Sequence, residues 1–416
     1  MKTRTGLFAL ITALLLLCAP AAFAAPETAD TAPTIADAKA AVLVEYSTGK
    51  ILYEMEADRR LPVASMTKMM TLCILFDKID AGQMSLEDEV QISPAAAAMD
   101  GSEVFLEEGK SYKARELIKS VIIASGNDAC VALAEHAAGS ESGFTALMNK
   151  KAEQLGMKNT HFSNCTGMPA AEHYSTARDM AVLARELAGH ELFFSWSGRW
   201  MDKLEHSGGR VTELVNTNRL VRFFDGCDGM KTGYTAEAGH CVTATVKKGN
   251  MRLISVIIGA GTGQGRFDDA RALINYGFAE FTLVKKEADI AKSIELKGGY
   301  EPQVKIEGEP LCAVLSKREA QEAEEQLRIT LQSIGDGVIA TDCSETVTMV
   351  NPVAASLTGY SPDEQVGRKL DDVFHIISYL NRKRVSSPVS RALASGKIVE
   401  LATHTDLIAK DGPCRH

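Results

Sequence analysis

The polarity of the chain changes period several times, and each change predicts an element. Residues 40–46 and 51–55 are apolar runs on either side of Ser47-Thr48-Gly49-Lys50, the pattern of a β-hairpin. From 65 to 79 the apolar positions Met66, Met69, Met70, Cys73, Ile74, Phe76 and Ile79 leave little polar surface, so a helix there is expected to be buried on most sides. Helical spacing returns over 114–124, 129–138, 143–155 and 176–187. Strand patterns reappear at 230–234, 241–247 and 252–258, joined by short turns such as Lys248-Gly249-Asn250, and predict an antiparallel meander. An amphipathic helix over 267–281 follows. Strands at both ends and helices between them predict an α+β architecture, an antiparallel sheet with an inserted helical subdomain.

The character changes near residue 284. Segments 290–296, 304–306 and 312–315 read as strands of a small β segment. Residues 317–332 form a charged helix with Ala320, Ala323, Leu327 and Leu331 along one seam. Beyond it come a second hairpin (337–342 and 346–351), helical turns through Leu357, Val373 and Val389, and a last strand over 398–409. The expected division is 1–24 leader, 25–37 flexible Ala/Pro/Thr/Asp-rich segment, 38–282 first module, 283–316 partial β domain, 317–332 linker helix and 333–416 second module.

Composition narrows the picture in a few places. The chain has 416 residues, 45% hydrophobic and 24% charged, with net charge −9, so no basic field draws it to nucleic acid. Lys2 and Arg4 precede an apolar run at 7–17, and Ala22-Phe23-Ala24 offers a small-residue cleavage site. That is a secretory signal peptide rather than a membrane span. No later stretch has the roughly 20 apolar residues that a spanning helix needs. The mature chain is therefore expected outside the cytoplasmic membrane, in the periplasm or cell-wall space. The chain's nine cysteines show no CxxC spacing and its nine histidines no HxxxH cluster, so no metal and no cofactor are expected. Each cysteine is expected to act as a small buried hydrophobe, and their pairing is left open.

Three strings carry chemistry: Ser65-Met66-Thr67-Lys68, Ser125-Gly126-Asn127 and Lys231-Thr232-Gly233. SxxK alone says little, since Ser47-Thr48-Gly49-Lys50 also fits, but that copy lies in a hairpin turn. Ser65 and Lys68 open a buried helix, where i and i+3 share a face. An amine desolvated there loses affinity for its proton and can serve as a base. Ser-x-Asn and Lys-Thr-Gly each occur once, in the order and on the elements that a serine acyl-transfer site requires.

Residues 38–282 resemble D-alanyl-D-alanine carboxypeptidases, the low-molecular-mass penicillin-binding proteins. The match runs through Pro62-Val63-Ala64-Ser65-Met66-Thr67-Lys68, Ser125-Gly126-Asn127-Asp128-Ala129-Cys130 and Asp228-Gly229-Met230-Lys231-Thr232-Gly233-Tyr234-Thr235 with Ala238-Gly239. The resemblance implies a β-lactamase/transpeptidase-like fold. It implies Ser65 as nucleophile, Lys68 as its base and Ser125 as proton relay. It implies Asn127 on the substrate amide, Lys231, Thr232 and Arg266 on the terminal carboxylate, Gly233 leaving room for substrate along the strand edge, and the Ser65 and Tyr234 N–H groups as oxyanion hole. Substrates would be peptidoglycan stem peptides ending in D-Ala-D-Ala, and β-lactams would inhibit. A β-lactamase is disfavoured, because nothing between Thr160 and Trp200 matches the Glu-x-x-Leu-Asn loop of class A members. A DD-endopeptidase stays open.

Residues 318–412 resemble a PAS domain, through 333–342, Asn351-Pro352-Val353-Ala354, Leu357-Thr358-Gly359-Tyr360 and 404–412. A β-lactam or muropeptide sensor is therefore an alternative reading. Asp411-Gly412 signals a hairpin turn, but no return strand is expected behind it. The carboxypeptidase family's full β domain and amphipathic anchor are not matched either. The expectation is a fusion of two shortened modules of which the first is functional.

Overall fold

Six buried residues in a row, Ala40–Glu45, form strand β1, and their burial places it inside a sheet covered on both faces. The chain is described by a computed structural model over residues 32–286, 293–295, 303–305, 311–385, 387, 389, 392, 399, 405–412 and 414–415. The expected leader, residues 1–24, lies outside them. Two compact units meet in sequence between Leu283 and Val284.

In the first unit β1 is followed by β2 (Ile51–Met55), and after a long insertion by β3 (Cys227–Thr235), β4 (Gly239–Lys248) and β5 (Met251–Ala260). The antiparallel order is β2-β1-β5-β4-β3. β1 lies against β5 with Ala40 opposite Ile258 and Glu45 opposite Leu253, so the two ends of the module close one sheet. The buried Glu45 carboxylate accepts from the Ser47 and Thr48 amides at 3.0 and 2.8 Å. These bonds fix Ser47–Lys50 as the β1–β2 turn, which disposes of the second SxxK string.

The insertion carries α1 (Lys68–Asp80), α2 (Ala114–Ile123), α3 (Asn127–Ala138), α4 (Glu141–Gln154) and α5 (Ala177–Leu187), and α6 (Gly265–Glu280) follows β5. Every residue of α1 from Lys68 to Phe76 is buried. Each buried Leu or Phe there contributes ~1.5–3 kcal/mol. Strand alternation sorts the two faces of the sheet. Ala40, Val42, Val44, Ile254, Val256 and Ile258 join the core with the inserted helices. Leu43 and Leu253 point the other way, where Gly277 of α6 sits against both. The α+β architecture with a helical insertion is therefore as expected.

Two short hairpins inside the insertion were not anticipated: Glu89–Gln91 with Ser111–Lys113, and Met201–Glu205 with Val211–Val215. In the second only Leu204 and Leu214 are buried, so the strands lack an apolar stripe to announce them. The end of the segment expected to be flexible is docked: the Asp37 carboxylate accepts from Thr262 N and Oγ1, both at 3.0 Å.

In the second unit, Ser293–Glu295 pairs with Gln303–Lys305, and Leu311–Ser316 is a strand. The remainder of the strands expected over 290–296 and 304–306 is outside the described residues. The charged helix spans Lys317–Ser333, starts from a Ser316/Glu319 capping box and buries none of its residues. Ile339–Thr341 pairs with Val347–Val350. Leu357 and Val373 lie in the short helices Pro352–Thr358 and Leu370–Val373, where helical turns were expected, and His375–Ser378 is a strand of a four-stranded sheet with Arg384–Val385, Thr405–Ile408 and Cys414–Arg415. The last of these corrects the expectation of an unpaired edge. The chain turns at Asp411-Gly412, and Cys414 comes to lie opposite Ile408. Of the strand expected over 398–409, residues 398 and 400–404 are outside the described residues. Val347, Val350, Ala354, Leu370 and Val373 form a small core. A cavity of about 230 Å³ opens beside it, lined by Ile339, Leu357, Phe374 and Leu407 among others.

Among the described residues no helix is long and apolar enough to cross a membrane. Cys73, Cys130, Cys165, Cys227 and Cys241 are buried free thiols, in keeping with an apolar role, whereas Cys343 is exposed.

Candidate active site

A short 3-10 turn, Ala64–Thr67, feeds directly into α1 and holds Ser65 at its start. Ala64 has φ 48°, the left-handed region that a residue with a Cβ enters only at a cost of roughly 1–2 kcal/mol. Ser125, at the entrance to α3, has φ 66°. Ser125 itself and the residue before Ser65 therefore sit at strained backbone.

Lys68 is completely buried, and its Nζ lies 2.8 Å from Ser65 Oγ, 2.7 Å from Asn127 Oδ1 and 2.9 Å from the Thr166 carbonyl. Burial pushes its amine down to about 8. The neutral amine keeps two N–H donors for Asn127 and Thr166 and turns its lone pair to the Ser65 hydroxyl, which is general-base geometry.

Lys231, buried in β3, donates to Ser125 Oγ at 2.8 Å and to the Thr232 carbonyl at 3.0 Å. Its ammonium form is disfavoured first by burial and then by the nearby Lys68 and Arg266 cations. The neighbouring Thr232 Oγ1 donates to Thr217 Oγ1 at 2.7 Å. The three strings thus converge into two amine–hydroxyl pairs, Lys68–Ser65 and Lys231–Ser125.

The remaining residues singled out from the sequence take more specific places. Asn127 uses both ends of its amide inside the protein: Oδ1 receives Lys68, and Nδ2 donates to the Asp100 carbonyl at 2.6 Å. In this structure it holds the Lys68 amine. A Cβ on Gly233 would stand 2.7 Å from the Val63 carbonyl and 3.1 Å from Ser65 N. The space that this glycine leaves is filled by the Val63–Ser65 turn, so its absent side chain lets β3 back against Ser65. Tyr234 is exposed and stacks on His240 with ring centres 4.3 Å apart. Arg266 Nη1 donates to the Gly233 and Cys241 carbonyls at 3.0 and 3.2 Å. Its guanidinium lies over the Phe267 ring, and its buried Nε has no partner among the described residues.

Several supports were not visible in the sequence. The Thr166 carbonyl comes from a loop in which a Cβ on Gly167 would collide with the Ala64 carbonyl. That loop is pinned by His173, whose Nδ1 accepts from Ser163 N at 3.1 Å, leaving Nε2–H to donate to Thr67 Oγ1 at 2.8 Å. Burial pushes His173 down to about 4, which keeps it in this neutral tautomer. Asn216 and Asn218 flank Thr217 and fasten it, donating to the Ser197, Arg199 and Gly229 carbonyls. The buried Asp128 carboxylate accepts from the Val104 and Leu106 amides and holds that loop beside α3. Backbone acceptors and turn asparagines have no signature in one sequence.

With this geometry in hand, the chain was compared with known proteins. Residues 26–262 match the family model for D-alanyl-D-alanine carboxypeptidase, and residues 325–412 match the one for the PAS fold. The chain is 42% identical over 312 residues to the D-alanyl-D-alanine carboxypeptidase DacF of Bacillus subtilis (strain 168), covering 74% of this chain and 80% of that protein. Among solved structures it resembles penicillin binding protein 5 from Haemophilus influenzae, with TM-score 0.62 and 32% identity over 71% of this chain and 86% of that one. It also resembles Penicillin-Binding Protein D2 from Listeria monocytogenes in its ampicillin-bound form, with TM-score 0.54 and 28% identity over 59% of this chain and 100% of that one.

Proposed function

This chain belongs to the D-alanyl-D-alanine carboxypeptidase family, and from that premise we propose that it removes the terminal D-Ala from peptidoglycan stem peptides through an acyl-enzyme on Ser65. The observation that carries the assignment of roles is the 2.8 Å approach of Lys68 Nζ to Ser65 Oγ, made by an amine that burial brings down to about 8.

Neutral Lys68 takes the Ser65 proton as Oγ attacks the penultimate D-Ala carbonyl. The developing oxyanion turns to the Ser65 and Tyr234 N–H groups. The departing D-Ala amine needs a proton. Ser125 supplies it and is resupplied by Lys231, whose own hold on the proton is weakened by burial and by two neighbouring cations; the proton that Lys68 took from Ser65 restores Lys231, so Lys68 is neutral again once D-Ala has left. The substrate carboxylate is received by Thr232 and Arg266 beside Lys231, a cationic corner suited to it. Water then attacks the ester and passes a proton to Lys68, and Ser65 leaves with that proton. Asn127 and the Thr166 carbonyl hold the lysine through both halves.

β-Lactams, which imitate the D-Ala-D-Ala end, acylate the same serine. The signal-peptide pattern at 1–24 and the proposed substrate both support a place of action outside the cytoplasmic membrane.

Incubation with a peptide ending in D-Ala-D-Ala tests the reading. The wild-type chain releases one D-Ala per peptide, and Ser65→Ala, which removes the nucleophile and little volume, releases none. D-Ala release by the Ser65→Ala protein would reject the assignment.

A further inference from the structure

A second constellation of chemically capable side chains lies farther along α1. Cys73 and Asp77 are four residues apart and share one helix face. His190, which precedes the short helix Glu191–Ser197, reaches the same spot. One ligand atom from each of these three residues lies within 4.8 Å of the others.

The histidine is oriented for coordination. Its Nδ1 lies 2.8 Å from Asp80 Oδ2, its ring stacks on Phe76, and its Nε2 faces Asp77 Oδ1 at 3.5 Å. A carboxylate on the far nitrogen is the usual second partner of a metal-bound imidazole. Cys73 is buried, while the Asp77 side chain is 38% exposed, so the constellation has a sulfur floor and an open rim.

Charge points the same way. Asp77 and Glu186 share one cation, Lys151, whose Nζ sits 3.0 Å from Asp77 Oδ2 and 2.7 Å from Glu186 Oε1, while Asp80 lies on the other side of the His190 ring. Glu186 can keep Lys151 if Asp77 turns to a different cation.

We propose that Cys73, Asp77 and His190 form a binding site for one divalent transition-metal ion, with zinc the best match to the donors. A thiolate, an imidazole and a carboxylate together suit zinc and exclude magnesium or calcium, which prefer oxygen alone. Ligand bonds of about 2.0–2.3 Å bring the donor atoms to about 3.3–3.8 Å of one another, so the three close by ~1 Å on binding. Cys73 gives up its proton to solvent as the Zn–S bond forms, and water takes the fourth position. The ion ties α1, which begins at Lys68, to the segment leading into Glu191–Ser197. The spacing rules applied to the sequence predict no metal because Cys73 and His190 lie 117 positions apart and only the fold joins them.

Titrating the full-length metal-free chain with Co²⁺, followed by Zn²⁺ displacement, tests the proposal. The expected result is one equivalent bound with a sulfur-to-cobalt charge-transfer band. Cys73→Ser should lose the band, and His190→Gln should weaken binding at least tenfold. Fluorescent-penicillin labelling of each variant reports that the first unit is still folded. If Cys73→Ser fails that control, His190→Gln at the rim carries the test. Absence of stoichiometric binding overturns the proposal, as does binding that His190→Gln leaves unchanged.

Discussion

Lys68 is the residue on which the chemistry turns. A lysine in water holds its proton until about pH 10.4 and would be a poor base at neutral pH. Removing the amine from water disfavours the charged form, and the nearby Cys130, Cys165 and Asp128 only partly restore it. Because the folded-state value is depressed to about 8, the competent neutral amine fills as pH rises through about 8. The acylation rate should therefore climb with pH up to that point and level off above it. Stopped-flow acylation by a chromogenic cephalosporin between pH 6 and 10 measures this. An inflection near the ordinary lysine value, or a rate that falls as pH rises toward 8, would remove Lys68 from the role of base. Lys68→Arg should abolish acylation, since a guanidinium cannot give up its proton in this range.

At the scale of elements, the site is a junction of the 3-10 turn before α1, the start of α3 and the middle of β3. Each of those was legible. The all-round apolar pattern announced a buried helix behind Ser65, and the alternation around Lys231 announced a strand. What was not legible is how closely they approach. The Gly233 contact with Val63 and Ser65 is a distance between strand and turn that no local pattern encodes. Gly233→Ala adds one methyl group at 2.7 Å from a carbonyl oxygen. Overpacking of this kind costs ~1–3 kcal/mol, and here the strain falls on Ser65, the proposed nucleophile. Acylation by penicillin should slow about tenfold or more while the far-ultraviolet circular dichroism stays unchanged; an unimpaired rate would show that β3 and the turn are not so tightly braced. The loop carrying Thr166 and the Asn216-Thr217-Asn218 turn escaped notice for a related reason. Their contributions are a carbonyl oxygen and a set of backbone ties, and many turns contain the same residue types.

For the whole molecule, the order of elements explains why three strings scattered over Ser65 to Gly233 form one site. β1 and β5 close the sheet from opposite ends of the module, so the inserted helices are folded back onto the face that carries β3. The second unit has its own core around Val347, Val350 and Leu370, and the residues proposed for catalysis all come from the first. The proposed covalent chemistry is thus concentrated on one atom of one unit. Peptide mapping by mass spectrometry after brief exposure of the full-length chain to benzylpenicillin tests that claim most directly. The predicted result is a single penicilloyl adduct per chain, on the peptide that contains Ser65. An adduct on Ser125, on the Ser47 turn or anywhere in the second unit, or no adduct at all, would contradict it.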